Sequence, residues 1–170
     1  GNGKVQANEN VTVKIPKGVD DGTRIRVSGK GEAGTKGGSN GDLYLFVSID
    51  NHEIFKRAEE NLYYELPISF TDAALGTSVE VPSIDGGKSK IKIPSGTQHG
   101  KQFRLKGKGM PILRRNLFGD LYIRINTQVP NSLSKRQKEI LEEFGEIEKN
   151  KPDPIIKNFF EKAKKFWKSS

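Results

Sequence analysis

The side chains that could do chemistry in this 170-residue chain are few and widely separated. There is no cysteine, which excludes disulfides and thiolate metal ligands within the chain, and the two histidines, His52 and His99, stand alone. A lone histidine in a polar turn is usually solvated. No nucleophile stands beside a base, and no pair of carboxylates is placed to share a pocket. The sequence therefore predicts no enzyme, no metal site and no cofactor in this chain.

One segment matches a dinucleotide-binding motif letter for letter. Residues 29–34 read Gly-Lys-Gly-Glu-Ala-Gly, but such glycines must open a helix whose N-terminus faces a pyrophosphate. The glycine-rich segment 35–41 that follows cannot be a helix, and the related segment 107–111 lacks the third glycine. We interpret the match as accidental. Asp42 and Asp120, which follow glycines before predicted strands, are expected to form loop hydrogen bonds.

These glycines and aspartates belong to an internal repeat. The pattern Lys-Ile-Pro-x-Gly-x3-Gly-x3-Arg-x2-Gly-Lys-Gly begins at Lys14 and again at Lys92, and both copies close with Gly-Asp-Leu-Tyr, at 41–44 and 119–122. The offset is 78 residues at both ends of the pattern. A tandem pair of similar β domains explains this regularity.

Alternation of apolar and polar residues predicts short strands. Strands are expected at 11–15, 23–28, 43–49, 62–70, 78–84 and 121–125, with a helical turn at 71–75. The elements that precede the second copy would fall at or before residue 6 when shifted back by 78. We therefore expect the first domain to be incomplete at its N-terminus: either the chain is a fragment, or a missing segment lies upstream.

At one matching position in the last strand the two copies differ between apolar and charged: the first has Phe46 and the second has Arg124. The last strand of the first domain is thus apolar on both faces. Either another strand or domain covers Phe46, or its face is an exposed groove for apolar partners.

Beyond Pro130 the apolar period becomes helical, and Ser134 with Gln137 has the spacing of a capping box. Apolar residues at helical intervals are Leu133, Ile140, Leu141, Phe144 and Ile147. A single amphipathic helix must bury such a stripe. It packs either on its own second domain or on a partner protomer.

A second helix is predicted after a polar linker, with Asp153 as N-cap and Pro154 at the first helical position. Its apolar stripe is Ile155, Ile156, Phe159, Phe160, Ala163, Phe166 and Trp167, opposite Lys157, Lys162, Lys164, Lys165 and Lys168. Such a helix lies on an anionic membrane surface or docks on an apolar groove within the protein. We favour docking.

The net charge of +8 is concentrated in this tail, where residues 149–170 carry +5. The remaining chain is mildly basic, without a clustered basic face, so nucleic acid is not an expected partner. No run of about 18 apolar residues is present, and the amino terminus does not resemble a signal peptide. A membrane is not an expected partner either. A peripheral membrane or nucleic-acid adaptor that uses the lysine-rich tail is the rival interpretation.

The motifs resemble those of the C-terminal half of bacterial DnaJ, a family of type I J-domain co-chaperones. Examples are Ile-Pro-Lys-Gly-Val-Asp-Asp-Gly-Thr-Arg-Ile-Arg at 15–26, Arg-Leu-Lys-Gly-Lys-Gly-Met-Pro at 104–111 and Phe-Phe-Glu-Lys-Ala-Lys-Lys-Phe at 159–166. The resemblance covers essentially the whole chain. Where the family commonly has proline, this sequence has Glu53.

The resemblance implies a mostly β fold with two tandem β-sandwich-like domains, the first incomplete at its N-terminus, followed by C-terminal helices. The expected divisions are 1–51 for the remainder of the first client-binding domain, 52–130 for the second β domain, 131–149 for a dimerisation helix and 150–170 for a basic amphipathic tail. Family members also carry a J domain and a zinc module upstream, so zinc is expected only there.

The resemblance also implies function. The chain is expected to bind unfolded or non-native polypeptides, to form a homodimer and, in the full-length protein, to deliver clients to a DnaK-type heat-shock ATPase in the cytoplasm. The family's client groove maps onto Val11 and Leu45, and strand alternation adds Val13 and Phe46. The residues that match the dimerisation element are Leu133, Ile140, Leu141 and Phe144.

Overall fold

A computed structural model describes residues 10–32, 34 and 38–170 of the chain. Ala33 of the accidental glycine motif and residues 35–37 of the glycine-rich segment after it lie outside the described residues. The described residues form strands in three sheets and three helices, two of them at the C-terminus. The predicted mostly β fold with C-terminal helices is confirmed.

Eight strands and one short helix occupy the described residues up to Gln128. They are β1 (Arg24–Val27), β2 (Leu43–Phe46), β3 (Lys56–Ala58), β4 (Asn61–Ser69), α1 (Phe70–Leu75), β5 (Thr77–Pro82), β6 (Lys88–Ile93), β7 (Gln102–Leu105) and β8 (Leu121–Gln128). Antiparallel pairs are β1–β2 and β5–β6, and the third sheet has the order β3-β4-β8-β7. In that sheet β4 and β8 run parallel, with Leu62 opposite Leu121.

The hydrophobic core lies around the four-stranded sheet. Alternation in β8 places Leu121, Ile123 and Ile125 on one face, and all three are fully buried. The hairpin β5–β6 and helix α1 contribute Val81, Ile93 and Ala73 to the same cluster. Burial of each large side chain contributes about 1.5–3 kcal/mol before ordering costs, so this cluster is the main source of stability among the described residues.

The hairpin β1–β2 is built differently. It pairs Ile25 with Leu45 and Val27 with Leu43, and these side chains are only half-buried. The predicted strand at 11–15 is not formed as a strand, although its residues alternate in exposure. Its equivalent in the second copy, β6, is a strand because it pairs with β5 along its whole length. Positions equivalent to β5 lie at or before residue 4, outside the described residues.

The turn before β1 contacts the rest of the β region through Arg57 and through the backbone near Leu113. Arg57 of β3 donates from Nη1 to the Val19 carbonyl (2.7 Å) and from Nη2 to the Gly18 carbonyl (3.0 Å). Gly18 has φ +88°, and a Cβ there would lie 2.8 Å from the backbone nitrogen of Leu113. Only glycine fits a left-handed residue with backbone so close. This contact joins the turn before β1 to the second copy.

The chain divides into two compact units, Gly1–Gln128 and Val129–Ser170. The second unit holds α2 (Lys135–Asn150) and α3 (Pro154–Ser169). Ser134 and Gln137 form the predicted capping box, with reciprocal hydrogen bonds of 3.1 and 2.9 Å. Asp153 caps α3 by accepting from the Ile155 amide at 2.8 Å. Both predicted helix starts are confirmed.

Candidate binding surfaces

The repeated glycines and aspartates form the same hydrogen-bonded clasp twice. Asp42 accepts from the Gly29 amide (3.1 Å) and from Arg26 Nε (2.7 Å). Asp120 accepts from the Gly107 amide (2.9 Å) and from Arg104 Nε (2.7 Å), 78 residues on. The backbone amide, and then the arginine, hold the pKa of each aspartate below its usual range. The predicted role of both aspartates in loop hydrogen bonds is confirmed.

The two histidines also accept hydrogen bonds from backbone amides. His52 accepts at Nδ1 from the Ile54 and Phe55 amides, at 3.0 and 3.3 Å. His99 accepts at Nδ1 from the Thr127 amide at 3.1 Å. Among the residues that the structure describes, no cluster of three or more histidine or acidic side chains is placed to hold a metal ion. His52 therefore holds its own turn, and His99 links the loop after β6 to β8, each by one ring nitrogen.

Each face of the β1–β2 hairpin has its own chemistry. On one face the half-buried residues Ile25, Val27, Leu43 and Leu45 form an apolar strip. On the other, the Arg24 guanidinium lies 4.8 Å from the centre of the Tyr44 ring, and Phe46 is 74% exposed. A cation over an aromatic face is a favourable contact, but it leaves Phe46 in solvent.

The second copy carries a surface groove of about 720 Å³ beside β4. Its lining includes Ile54, Tyr63, Leu66, Pro67, Pro82 and Tyr122. The rings of Tyr63 and Tyr122 stack 5.1 Å apart across β4 and β8. Tyr64 donates its hydroxyl to the Pro82 carbonyl (3.2 Å), and burial raises its pKa to about 12. The lining also includes charged and polar side chains, so the groove joins apolar surface to a polar border: Glu53, Lys56, Glu65, Gln102 and Arg124.

An open strand edge borders this groove. β3 pairs only with residues 61–63 of β4, whereas β8 pairs with 62–69 on the other side. No described strand pairs with the free side of residues 64–69. In a parallel pair, the backbone groups of every second residue point toward the neighbouring strand. The Leu62 amide donates to the carbonyl of Asp120, directly before β8, so Leu62, Tyr64 and Leu66 face β8. Glu65 and Pro67 therefore point their backbone groups toward the open side.

Neither C-terminal helix has a buried residue, and the structure describes both in full. In α2 the exposed fractions of Ile140, Leu141 and Phe144 are 47%, 37% and 46%, and that of the preceding Leu133 is 39%. The exposed fractions of the large apolar side chains of α3 range from 53% at Phe160 to 76% at Ile155, whereas Ala163 is half-buried. Within the described residues no helix is long and apolar enough to cross a membrane.

Two family models match the chain. The model described as DnaJ C terminal domain matches residues 2–130, and the model described as Chaperone protein DnaJ C-terminal region matches residues 136–169. The chain belongs to the DnaJ C-terminal domain family. The first match contains both copies of the repeat and the second contains nearly all of α2 and α3, so the family accounts for both units.

Curated relatives agree with this membership. A protein named Chaperone protein DnaJ from Pelagibacter ubique is 65% identical over 169 residues, which are 99% of this chain and 45% of that protein. Proteins of the same name from Brucella anthropi and Brucella canis are 52% and 51% identical over 167 residues. The chain therefore spans less than half the length of these DnaJ relatives, which are named as chaperones and not as enzymes.

Within this DnaJ family framework, the four predicted groove residues do not share one face. Val11, Val13 and Leu45 are half-buried, whereas Phe46 lies on the opposite face of β2 from Leu45 because neighbouring residues of a strand alternate. The groove beside β4 was not among the predicted sites. Alternation in the sequence could place Tyr63 and Tyr122 each on one face of its own strand. Only the parallel pairing of β4 with β8 brings the two rings together.

Proposed function

We propose that this chain binds unfolded or non-native polypeptides on the apolar surfaces of its two β regions and forms a homodimer through α2. In the longer protein it delivers these clients to a DnaK-type ATPase in the cytoplasm. The observation that carries the proposal is the open edge of β4 beside an apolar groove of about 720 Å³. Strand edges and shallow apolar surfaces bind many different sequences, because they use backbone hydrogen bonds and non-directional burial.

The first copy supports the same activity with the predicted residues. The edge of β2 away from β1 has no strand partner among the described residues. An extended client added along that edge would place alternate side chains on both faces of the sheet. It would then contact Leu45 on one face and the exposed Phe46 on the other, and Val11 and Val13 extend the apolar surface. This explains how residues on opposite faces serve one client.

The edge of β4 limits how a client binds in the second copy. Pro67 lacks an amide proton and sits on the open side of the strand, where a central strand would not tolerate it. Glu65 retains its amide and carbonyl on the same side. A client strand would pair briefly here and gain most of its affinity from Ile54 and the tyrosine pair. Weak, reversible binding of this kind suits a chaperone.

Dimerisation adds avidity to these weak sites. Two linked client-binding arms make the second contact intramolecular, which raises the overall affinity without any new contact type. The α2 stripe, with Leu133, Ile140, Leu141 and Phe144, is the surface that we assign to the dimer. Its residues are 37–47% exposed in the single chain, and such exposure is typical of an apolar interface.

The test is binding of a fluorescently labelled, permanently unfolded protein, such as a reduced and alkylated globular protein. Leu45→Asp and Ile54→Asp each place a charge in one proposed client surface. Each should weaken binding by about fivefold to twentyfold, because a carboxylate replaces about 1–2 kcal/mol of apolar contact. Unfolded and native forms of the same labelled protein are compared in parallel.

Matched controls carry the same charge outside the surfaces. Ser78→Asp lies at an exposed position of β5, and Leu75→Asp replaces a leucine that is 79% exposed; both are outside the groove lining. Both should bind as the wild type does. Equal affinity of all five proteins for the unfolded protein, or no preference of the wild type for it over the native form, would refute the proposal.

A further inference from the structure

The last helix, α3, exposes an apolar stripe and a set of lysines together. Phe159 and Trp167 of its stripe are 63% and 64% exposed. Among the described residues none of the lysines of α3 takes part in an ion pair. A helix with this much uncovered apolar surface is marginal in water by itself. It needs an occupant with an apolar face and negative charge.

Helix α2 has both properties. Residues 139–148 contain five glutamates and neither lysine nor arginine, and they include Ile140, Leu141, Phe144 and Ile147 of the apolar stripe. Glu139 and Glu146 make exposed pairs with Arg136 (3.4 Å) and Lys149 (2.9 Å). Such surface pairs contribute little, so these glutamates can exchange partners at small cost. The two helices also match in length, at 16 residues each.

The charges of α2 are unequal on the two sides of its stripe. At about 3.6 residues per turn, one side, the acidic edge, carries Arg136, Glu139, Glu143 and Glu146, with a net charge of −2. The other side carries Lys138, Glu148 and Lys149, with a net charge of +1. A partner helix that brings lysines to the acidic edge therefore gains most.

The lysines of α3 are also distributed unequally on the two sides of its apolar stripe. By the same geometry its more basic side, the basic edge, carries Lys157, Lys164 and Lys168. Its other side carries Lys162 and Lys165. Viewed onto the stripe with the N-terminus upward, the acidic edge of α2 and the basic edge of α3 lie on opposite sides.

This difference of hand selects the direction of packing. Edges of opposite hand meet when two helices pack parallel, and edges of the same hand meet when they pack antiparallel, as for the flanking charges of coiled coils. Parallel packing places the acidic edge against three lysines, and the +1 edge of α2 against two. Antiparallel packing places the acidic edge against two lysines and the +1 edge against three. The parallel arrangement is electrostatically better on both sides.

A single chain cannot make the parallel arrangement. Only residues 151–153 separate the helices, and three residues span at most about 11 Å. Returning to the start of a 16-residue helix requires about 24 Å. Pro152 and Pro154 further hold the residues before them extended, as seen at Asp153 with φ −58° and ψ 128°.

We propose that α3 packs in parallel on α2 of a second copy of this chain, with the basic edge of each α3 against the acidic edge of its partner's α2. The two stripes bury each other, and the exchange occurs twice in a twofold dimer. The inference rests on the homodimer in the proposed function and specifies its pairing. It assigns the lysine-rich tail to the partner protomer.

The test uses two reciprocal charge variants of the 170-residue chain. One variant carries Glu139→Lys, Glu143→Lys and Glu146→Lys in α2, and the other carries Lys157→Glu, Lys164→Glu and Lys168→Glu in α3. Sedimentation velocity measures the dimer affinity of the wild type, of each variant alone and of their equimolar mixture. Each variant alone should dimerise at least about tenfold more weakly than the wild type, because like charges then face each other in both interfaces.

The mixture should recover a heterodimer within about threefold of wild-type affinity, since opposite charges meet again in both of its interfaces. Helix content by circular dichroism checks that both variants fold, as all six positions are exposed. A chain with all six changes should dimerise as the wild type does.

Three results would overturn the pairing. A wild-type monomer would remove the dimer itself and that part of the proposed function with it. A wild-type dimer whose variants lose nothing, or whose mixture shows no gain, would leave the dimer but place the tail elsewhere, including back on its own chain. If vesicles of phosphatidylcholine with phosphatidylserine bind the wild type and not the α3 variant, while both dimerise equally, α3 serves a membrane.

Discussion

The two copies of the repeat have the same loops and different interiors. Each copy closes a glycine loop with an aspartate that accepts from a glycine amide and an arginine, at nearly equal distances. Yet Leu45 in the first copy is half-buried, whereas its equivalent Ile123 in the second is fully buried. Local residues alone build the clasp. The core needs β3, β4 and β5, whose equivalents in the first copy are not among the described residues.

The two copies differ in what determines each feature: residues of the same copy determine the clasp, and other strands determine burial. The clasp uses partners 13 and 16 residues apart within one copy, so a repeated motif is enough to repeat it. The burial of Ile123 depends on β4, which pairs with β8, and on the hairpin β5–β6, which contributes Val81 and Ile93 to the same core cluster. Among the described residues, the apolar side chains of the β1–β2 hairpin stay half-buried, and this is the surface that we assign to clients in the first copy.

The largest expected effect contrasts the matched apolar positions. Ile123→Asp places an unpaired carboxylate in the core and should lower the free energy of unfolding by about 4–5 kcal/mol or more. Leu45→Asp at the equivalent half-buried position should lower it by about 1 kcal/mol or less. Urea denaturation followed by tyrosine fluorescence and circular dichroism measures both. Equal losses would show that the first copy has a core as tight as that of the second.

A smaller effect is expected at matched glycines of the clasp loops. A Cβ on Gly109 would lie 2.6 Å from the Glu60 carbonyl oxygen and 2.5 Å from the carbonyl carbon of Gly119, whereas the three atoms nearest to one on Gly31, at 2.5 to 2.9 Å, belong to Gly41 and Asp42 of its own loop. Gly109→Ala should cost about 2–3 kcal/mol and Gly31→Ala about 1 kcal/mol, because a third segment must move in the second copy.

Gly41→Ala is the control for both glycine variants, since its nearest atoms would be 4.0 Å away. It should change the free energy of unfolding little. Thermal unfolding by calorimetry compares the three variants. A larger loss of stability for Gly31→Ala than for Gly109→Ala would contradict the explanation that the two loops are alike and differ only in their surroundings.

The smallest effect concerns pH. The pKa of Asp42 and of Asp120 is lowered from 3.8, chiefly by a glycine amide. Each carboxylate therefore stabilises the fold above that pH, and the stabilisation is lost as the pH falls through the lower folded-state pKa. Asp42→Asn and Asp120→Asn should each lower stability at pH 7 and flatten its decline below about pH 4.

Urea midpoints between pH 2.5 and pH 7 test this third contrast. The two asparagine variants should flatten the acid limb to a similar extent, because the clasps have the same donors. Asp85→Asn is a matched control, since Asp85 accepts a hydrogen bond from the Gly87 amide in a turn but has no arginine partner among the described residues. A steeper acid decline in either clasp variant than in the wild type would contradict the assigned sign.

Spacing within the sequence was sufficient for the local structures. The 78-residue offset predicted the paired clasps, alternation predicted β1, β2, β4, β5 and β8, and the residue pairs Ser134 with Gln137 and Asp153 with Pro154 predicted where α2 and α3 begin. Each of these depends on residues close in sequence, whose geometry neighbouring side chains and backbone dictate.

Only tertiary structure decided which of these elements acquire partners. Residues 11–15 alternate like a strand but form none, because a strand is defined by hydrogen bonds to a neighbour that its own residues cannot supply. Likewise, the groove beside β4 exists because Tyr63 meets Tyr122 across a parallel pairing of segments 59 residues apart. Periodicity determines which face of an element is apolar, whereas the long-range fold determines what that face contacts.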